Sequence, residues 1–597
     1  MLAPEELYKA RIHEMQNEGL SLIRQTKVVS LFRLLTVTSI CITSYLGFSF
    51  YAYYFFLSFT LVGVFIYFVR RHSRLNDKHS ELNAILELNE NELKCILGES
   101  NPFDYNSDID CSKHIYANDL DIFGPLSLFR QINRTTTILG KRILTDNLLN
   151  PTKDKLLIER RKKTLAELDT AIDWRQRFFF LGSSSMEKPS EITMLKTWNA
   201  QKPFYSSRKL WVLIAGILTS AAAGFIIYTV FSGKVDLIRF ITIFIILFTF
   251  NLFIYQFFRK HAKSYFDHFG EFSHLFSKWS ALCSLISDKA FDSDMGIELR
   301  EKIIGASQSL INISNLNKLI AIRLNGLMQF MNGLCLFDVW FILQIEAWRK
   351  INGDKLFHWI AAIGEMDSLS SLANYKFNHP TFCNAQLVDG HNQISAKNLG
   401  HPLIQPHKIV TNDFEIGLTY NAQIITGSNM SGKSTFLRAV GLNTVLALNG
   451  LPVCATSFSC SNLSVASCIR ITDSLEGNES YFKAELNRLS QIMLLLRGGG
   501  PYLILLDEIL RGTNSEDKRI GTLAFYRKMS SLNCLALLAT HDPEIGRLSE
   551  ESPEHFQNFH FESYVHDSDI QFDYRLRPGV STTRNATLLM KKLDLID

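Results

Sequence analysis

From Ala422 the chain reads AQIIT, then GSNMSGKS, then TFLRAVGLNTVLAL. The first run has the length and apolarity of a short buried strand, and the last repeats its apolar residues at helical spacing. Between them Gly427-Ser428-Asn429-Met430-Ser431-Gly432-Lys433-Ser434 satisfies the pattern G-x-x-x-x-G-K-[ST] in full. A loop of this kind, between a strand and a helix N-terminus, turns its backbone N–H groups towards an anion. In that setting Lys433 reaches the β- and γ-phosphates of a nucleotide, Ser434 ligates Mg²⁺ and Thr435 opens the helix beside them. The expected ligands are ATP and Mg²⁺.

A second strand-like run, YLILL, ends in Asp507-Glu508. A carboxylate at the carboxyl end of a buried strand can hold the metal, and an adjacent glutamate can polarise an attacking water. A third, CLALLAT, ends at His541, placed to sense the γ-phosphate. The expected catalytic set is therefore Glu508, His541 and Lys433, with Ser434 and Asp507 at the metal.

Near the start of the same chain, Leu34 to Val69 holds no charged residue. About 36 residues is too long for one membrane span of roughly 20, but suits two short ones with a turn near Gly47–Ser49. Arg24, Lys27 and Arg33 precede the pair, and Arg70, Arg71 and Arg74 follow it. Basic flanks at both ends place both ends on the cytoplasmic side. Leu210 to Phe231 and Phe240 to Phe258, flanked by Arg208–Lys209 and Arg259–Lys260, read as a second hairpin of the same orientation. Leu324 to Ile345 is also apolar, but it carries Asp338, costly in lipid, and reads as a buried cytosolic helix.

The net charge of +4 supplies no global attraction to nucleic acid. Ten scattered cysteines without a CxxC pair suit a reducing compartment, and the polar N-terminus is no secretory signal.

In family order the chain carries HPLI, IVTND, TGSNMSGKSTFLRAVG, LLDEILRGTNSEDK and LATHDPEIGRL. At these residues it resembles the MutS family, ATPases of DNA mismatch repair within the ABC-type nucleotide-binding class. DSLEGNESYFKAEL, from Asp473 to Leu486, is similar to the segment that completes a partner subunit's site, and FDYRLRPGV to the terminal strand. The resemblance implies a homodimer with composite ATP sites, Ser480 touching the γ-phosphate in trans and Glu485 on the helix that follows. Upstream, DLDIFGPLSLFRQINRTTTILGKRILTDNLLNP and IGEMDSLSSLANYKFNHPTF are similar to the two ends of the MutS core domain.

The implied fold is an α/β P-loop (ABC-type) ATPase domain, preceded by an all-α MutS core/lever domain with two inserted transmembrane hairpins. The sequence divides into an N-terminal helix (1–33), a first hairpin (34–69), a linker helix (70–114), a first core segment (115–207), a second hairpin (208–260), a second core/lever segment (261–378) and the ATPase (379–597). The implied place is the inner (cytoplasmic) membrane, multi-pass, with the ATPase in the cytoplasm.

The chain also departs from the family. Nothing before Asp119 looks like the mismatch-reading or connector domains, so double-stranded DNA is expected to bind with weak mismatch preference. Ser428 and Ser431 replace the usual Pro and Gly, and the aromatic near IVTND that stacks on adenine is absent. Two other functions stay open: a nucleotide-gated membrane scaffold without DNA, and a transporter component, against which stands the lack of an LSGGQ-like signature.

Overall fold

The structure is a computed structural model. It describes residues 3–597 apart from 108, most of 203–236, 323–331, 334–335, 471–480, 567–568 and 582–597. The chain divides into two compact units. One comprises residues 1–133, 144–172 and 371–597, and the other residues 134–143 and 173–370.

The first unit begins with two antiparallel helices, α1 (Pro4–Ser49) and α2 (Tyr53–Leu97), which turn over at residues 50–52. The change of composition at Arg33 is no break in the backbone, since α1 runs straight through it. Among the described residues these two helices are long and apolar enough to cross a membrane. Phe48, Phe56 and Phe59 stand exposed near the turn, where Thr43 Oγ1 meets Ser58 Oγ at 2.8 Å between the helices. At the opposite end Asn374 and Asn378 each donate to the buried Glu92 carboxylate at 2.9 Å, and Tyr8 Oη donates to Asn378 Oδ1 at 3.0 Å.

The rest of this unit is α/β. Its strands are β1 (Cys383–Asn384), β2 (Gln386–Leu387), β3 (Ile394–Leu399), β4 (Asn412–Ile416), β5 (Ala422–Thr426), β6 (Pro452–Val453), β7 (Ser457–Cys460), β8 (Ser464–Cys468), β9 (Tyr502–Asp507), β10 (Cys534–Thr540), β11 (Phe556–His566) and β12 (Asp569–Pro578). The main sheet has the order β12-β11-β5-β10-β9-β8, parallel except for the β11/β12 pair. A smaller sheet has the order β2-β7-β3-β4, and β1 pairs with β6.

Strands β5 and β10 are buried along their whole length, as their near-continuous apolar runs require in a sheet covered on both faces. Ile504, Leu506 and Leu538 pack with Ile492 and Leu496 of the helix Tyr481–Arg497, and with Met529 of the helix Ser515–Ser530. The helix Lys433–Leu448 covers β9 at Gly441, where a Cβ would come within 2.7 Å of Leu505 and 2.9 Å of Leu120. Leu120 belongs to residues 115–133, which sequence groups with the helical core. Here they pack on the α/β sheet, because the buried Asp119 accepts from Ser467 Oγ at 2.7 Å and from the Ile469 and Arg470 N–H groups at 3.0 Å.

The second unit is helical. Trp198, Phe269, Phe272, Phe276 and Trp279 form its aromatic core. The buried Asp367 accepts from the N–H groups of Thr136 and Thr137 at 2.9 and 2.8 Å, and from Thr137 Oγ1 at 2.7 Å. Asp338 is buried in the helix Phe337–Asn378 and accepts from Tyr255 Oη at 3.0 Å, a polar environment that the apolar reading of residues 324–345 does not show. Of the second sequence hairpin, the arm at 240–258 lies within the helix Leu237–Phe272, and most of 210–231 falls outside the described residues.

Candidate nucleotide site

Strand β5 lies between β10 and β11, so its carboxyl end opens into the middle of the sheet edge, where α/β sheets present their ligands. The loop leaving it passes Gly427 at φ 156°, Met430 at 67° and Gly432 at 104°, and Gly432 caps the helix Lys433–Leu448 in a left-handed conformation. No side chain caps this helix. Its first N–H groups are left to a ligand, and the loop and helix dipole favour an anion there.

Two features inside the loop fit a polyphosphate. Ser431 Oγ is buried with no hydrogen-bond partner, a donor aimed into the loop. The buried Lys433 ammonium folds back to donate to the carbonyls of Gly427 and Ser428, both at 2.9 Å. Burial pulls its pKa down, against the opposing pull of Glu508 and Asp507. Ser428 rests against Ser563, 3.4 Å between hydroxyls, while Asn429 and Met430 are exposed at the mouth and Thr435 lines the same cavity.

Strand β9, two places along the sheet, brings Asp507 Oδ2 into hydrogen-bond contact with Ser434 Oγ. A hydroxyl and a carboxylate make a hard oxygen pair of the kind Mg²⁺ takes from proteins, its remaining positions going to water and phosphate. Burial raises Asp507 above the ordinary carboxylate range, which the Ser434 hydrogen bond opposes.

Between β5 and β9 runs β10, so the residue after it emerges between the phosphate loop and Glu508. That residue is His541, with Nδ1 3.1 Å from Glu508 Oε1. The hydrogen bond to His541, aided by Arg511 and Lys433, holds the Glu508 carboxyl down at about 2.

Glu508 and Leu510 both have positive φ, 50° and 61°. The turn that carries them is tied by Glu485, whose carboxylate accepts from the N–H groups of Leu510 at 2.7 Å and Arg511 at 3.1 Å. Arg511 in turn donates to the carbonyls of Glu508 and Asp507 at 3.0 and 3.1 Å. Ser480 lies outside the described residues.

The loop opens into a cavity of about 650 Å³. Away from the phosphate cradle its walls include His401, Ile404, Ile409 and Tyr574. Tyr574 is not apparent from sequence, because FDYRLR reads as regular alternation. In the structure β12 bulges there, and the ring sits against the loop, with Cδ1 3.0 Å from where a Cβ on Gly432 would stand. The wall beyond the phosphate loop thus carries an aromatic ring from the far end of the chain.

Residues 423–592 match the family model of MutS domain V. The chain is similar to "Endonuclease MutS2" of Lactiplantibacillus plantarum, 26% identical over 244 residues, covering 40% of this chain and 30% of that protein. It is also similar to "DNA mismatch repair protein MutS" of Natronomonas pharaonis, 31% identical over 253 residues (40% and 28%). To the "DNA mismatch repair protein MutS" of Thermotoga maritima it is 29% identical over 234 residues (37% and 27%). The chain thus spans less than a third of the length of these relatives.

Proposed function

We propose that this chain binds and hydrolyses ATP with Mg²⁺ as a membrane-anchored, MutS-type ATPase. The observation that carries this is the meeting of an uncapped phosphate loop, the Ser434–Asp507 oxygen pair and the Glu508–His541 pair at one end of a parallel sheet. Mg²⁺, when bound, supplies charge neutralisation at the phosphates. Lys433 exchanges its loop carbonyls for phosphate oxygens. The Ser431 hydroxyl and the loop N–H groups donate to the same anion. Glu508, held ionised, orients a water for in-line attack and accepts its proton, while His541 fixes the carboxylate and faces the transferred group.

Ser480 completes the partner's site in a homodimer, by resemblance to the family. The exposed apolar turn of α1 and α2, with arginines on both flanks, supports anchoring in a bilayer. From Arg33 to Ser49 an α-helix rises roughly 24 Å. That is somewhat short of a core of about 30 Å, so the arginines snorkel or the bilayer thins. The partial likeness to mismatch-repair proteins supports a DNA partner on the cytoplasmic side, held by salt-sensitive phosphate contacts with little mismatch preference.

The test is turnover by the purified full chain in detergent. Glu508→Gln should keep ATP binding and slow hydrolysis by about 100-fold or more. Lys433→Ala should weaken binding itself. Turnover that Glu508→Gln leaves untouched would come from elsewhere and sink the proposal.

A further inference from the structure

Strand β12 does not follow β11 evenly. Between Phe561 and Ser563 on β11, its partners on β12 step from Leu576 to Phe572, so β12 spends two extra residues there. The surplus forms a bulge around Tyr574, whose φ of 55° is unusual for a bulky side chain. Bulges of this kind re-aim a side chain and leave ladder groups without strand partners.

Asn412, the first residue of β4, bonds to the bulge at Tyr574 and to its edge at Leu576. Its Oδ1 accepts from the Leu576 N–H at 2.8 Å, and its Nδ2 donates to the Tyr574 carbonyl at 3.0 Å. One carboxamide thus brackets the bulge with a donor and an acceptor, as a peptide of a neighbouring strand would. Its neighbour adds a third tie, from Arg575 Nη1 to the Thr411 carbonyl at 2.7 Å. Within the bulge Asp573 Oδ1 accepts from the Arg575 N–H at 3.0 Å.

What the bulge presents is the Tyr574 ring, on the wall of the cavity beyond the phosphate loop. Phosphates seated at the loop leave the base of a nucleotide in that part of the cavity, where Ile404 and Ile409 add apolar surface. A tyrosine face stacks on any planar base and gives nothing to a bare polyphosphate.

We infer that Asn412 is a positioning residue for base recognition: by clamping the β12 bulge it holds Tyr574 where it stacks on the base of a nucleoside triphosphate. This rests on the nucleotide reading of the site. Asn412 also lines the cavity, but its carboxamide is engaged by the bulge through both its nitrogen and its oxygen, so its loss should copy the loss of the ring.

Binding of ATP and of inorganic tripolyphosphate, each with Mg²⁺, is measured by calorimetry on the full chain in detergent, together with steady-state turnover. Tyr574→Ala and Asn412→Ala should each weaken ATP by about tenfold, the size of one stacked base, and leave tripolyphosphate unchanged. For Asn412→Ala the loss should appear in KM for ATP and not in kcat at saturating ATP, since Asn412 bonds to the bulge and not to the phosphate loop or Glu508. Tyr574→Phe should bind ATP as wild type does, and the double variant should be no weaker than either single one. Asn412→Asp keeps the acceptor for Leu576 but not the donor to Tyr574, and should fall between. Unchanged tripolyphosphate binding shows that the variants are folded at the site. The inference is overturned if Asn412→Ala binds ATP like wild type, or weakens both ligands equally. Wild type that binds neither ligand would overturn the nucleotide reading as well, whereas wild-type binding with an indifferent Asn412→Ala overturns this inference alone.

Discussion

Glu485 offers the sharpest test of how the catalytic carboxylate is held. It is buried on the helix Tyr481–Arg497, and its two oxygens accept from the N–H groups of Leu510 and Arg511. Hydrogen bonds to a charged acceptor contribute about 1.5–3 kcal/mol each, so Glu485→Ala removes roughly 3–6 kcal/mol from this turn. The turn also holds Glu508 and Leu510 at positive φ, a conformation that persists only where its surroundings impose it. Released, it relaxes and moves the Glu508 carboxylate, and a shift of about 1 Å in a catalytic group can cost roughly 100-fold in rate. The phosphate loop makes no hydrogen bond to Glu485 among the described residues, so ATP binding should change less than about threefold. Glu485→Gln keeps one acceptor oxygen and should lose roughly tenfold in kcat. The assay is steady-state hydrolysis beside equilibrium ATP binding and thermal unfolding. Wild-type kcat in Glu485→Ala would refute the claim that this carboxylate sets the catalytic geometry, and so would a loss of binding as large as the loss of turnover.

Two carboxylates and the apolar hairpin give three further tests. Glu508 has its folded pKa lowered to about 2, so its contribution to stability is present above the ordinary carboxylate range and lost as pH falls from there towards 2. It should therefore put no limb on kcat above about pH 4.5, whereas His541→Ala removes the main cause of the shift and should bring an acid limb upward; superimposable profiles from about pH 4.5 to 8 would contradict this. Asp367 is the opposite case, raised to about 6 by burial despite its bonds from Thr136 and Thr137, so its contribution is present below the ordinary carboxylate range and lost as pH rises through about 6. Of the order of 3 kcal/mol separates the two limits, and Asp367→Asn should flatten the dependence of melting temperature on pH between about 4 and 7, which a curve parallel to wild type would disprove. For the membrane, Ser49→Cys should react with an impermeant thiol reagent applied outside cells and Ser73→Cys only after permeabilisation; equal labelling of both would rule out a spanning hairpin.

The sequence by itself determined the parts whose chemistry is local. The spacing from Gly427 to Ser434 marks a phosphate-type loop, with glycines at two of its three positive-φ positions, and the short apolar runs ending at Asp507 and before His541 read as buried strands, as they are. The charge-free stretch after Arg33 likewise points to two apolar helices with a turn between them, but the turn falls at residues 50–52, since Gly47–Ser49, where sequence places it, still belong to α1. Tertiary structure alone decided which of these ends meet. Strand order places β10 between β5 and β9, and so sets His541 against Glu508, yet no pattern along the chain encodes that order. The same holds for Asp119 fastening residues 115–133 to the α/β sheet, and for Glu485 reaching the turn after β9. Tyr574 is the clearest case. Alternation along β12 hides a bulge that Asn412, 162 residues before Tyr574, ties down with its side-chain carboxamide. Periodicity reports which face of an element is buried; it carries no information about which distant polar group will satisfy a broken ladder.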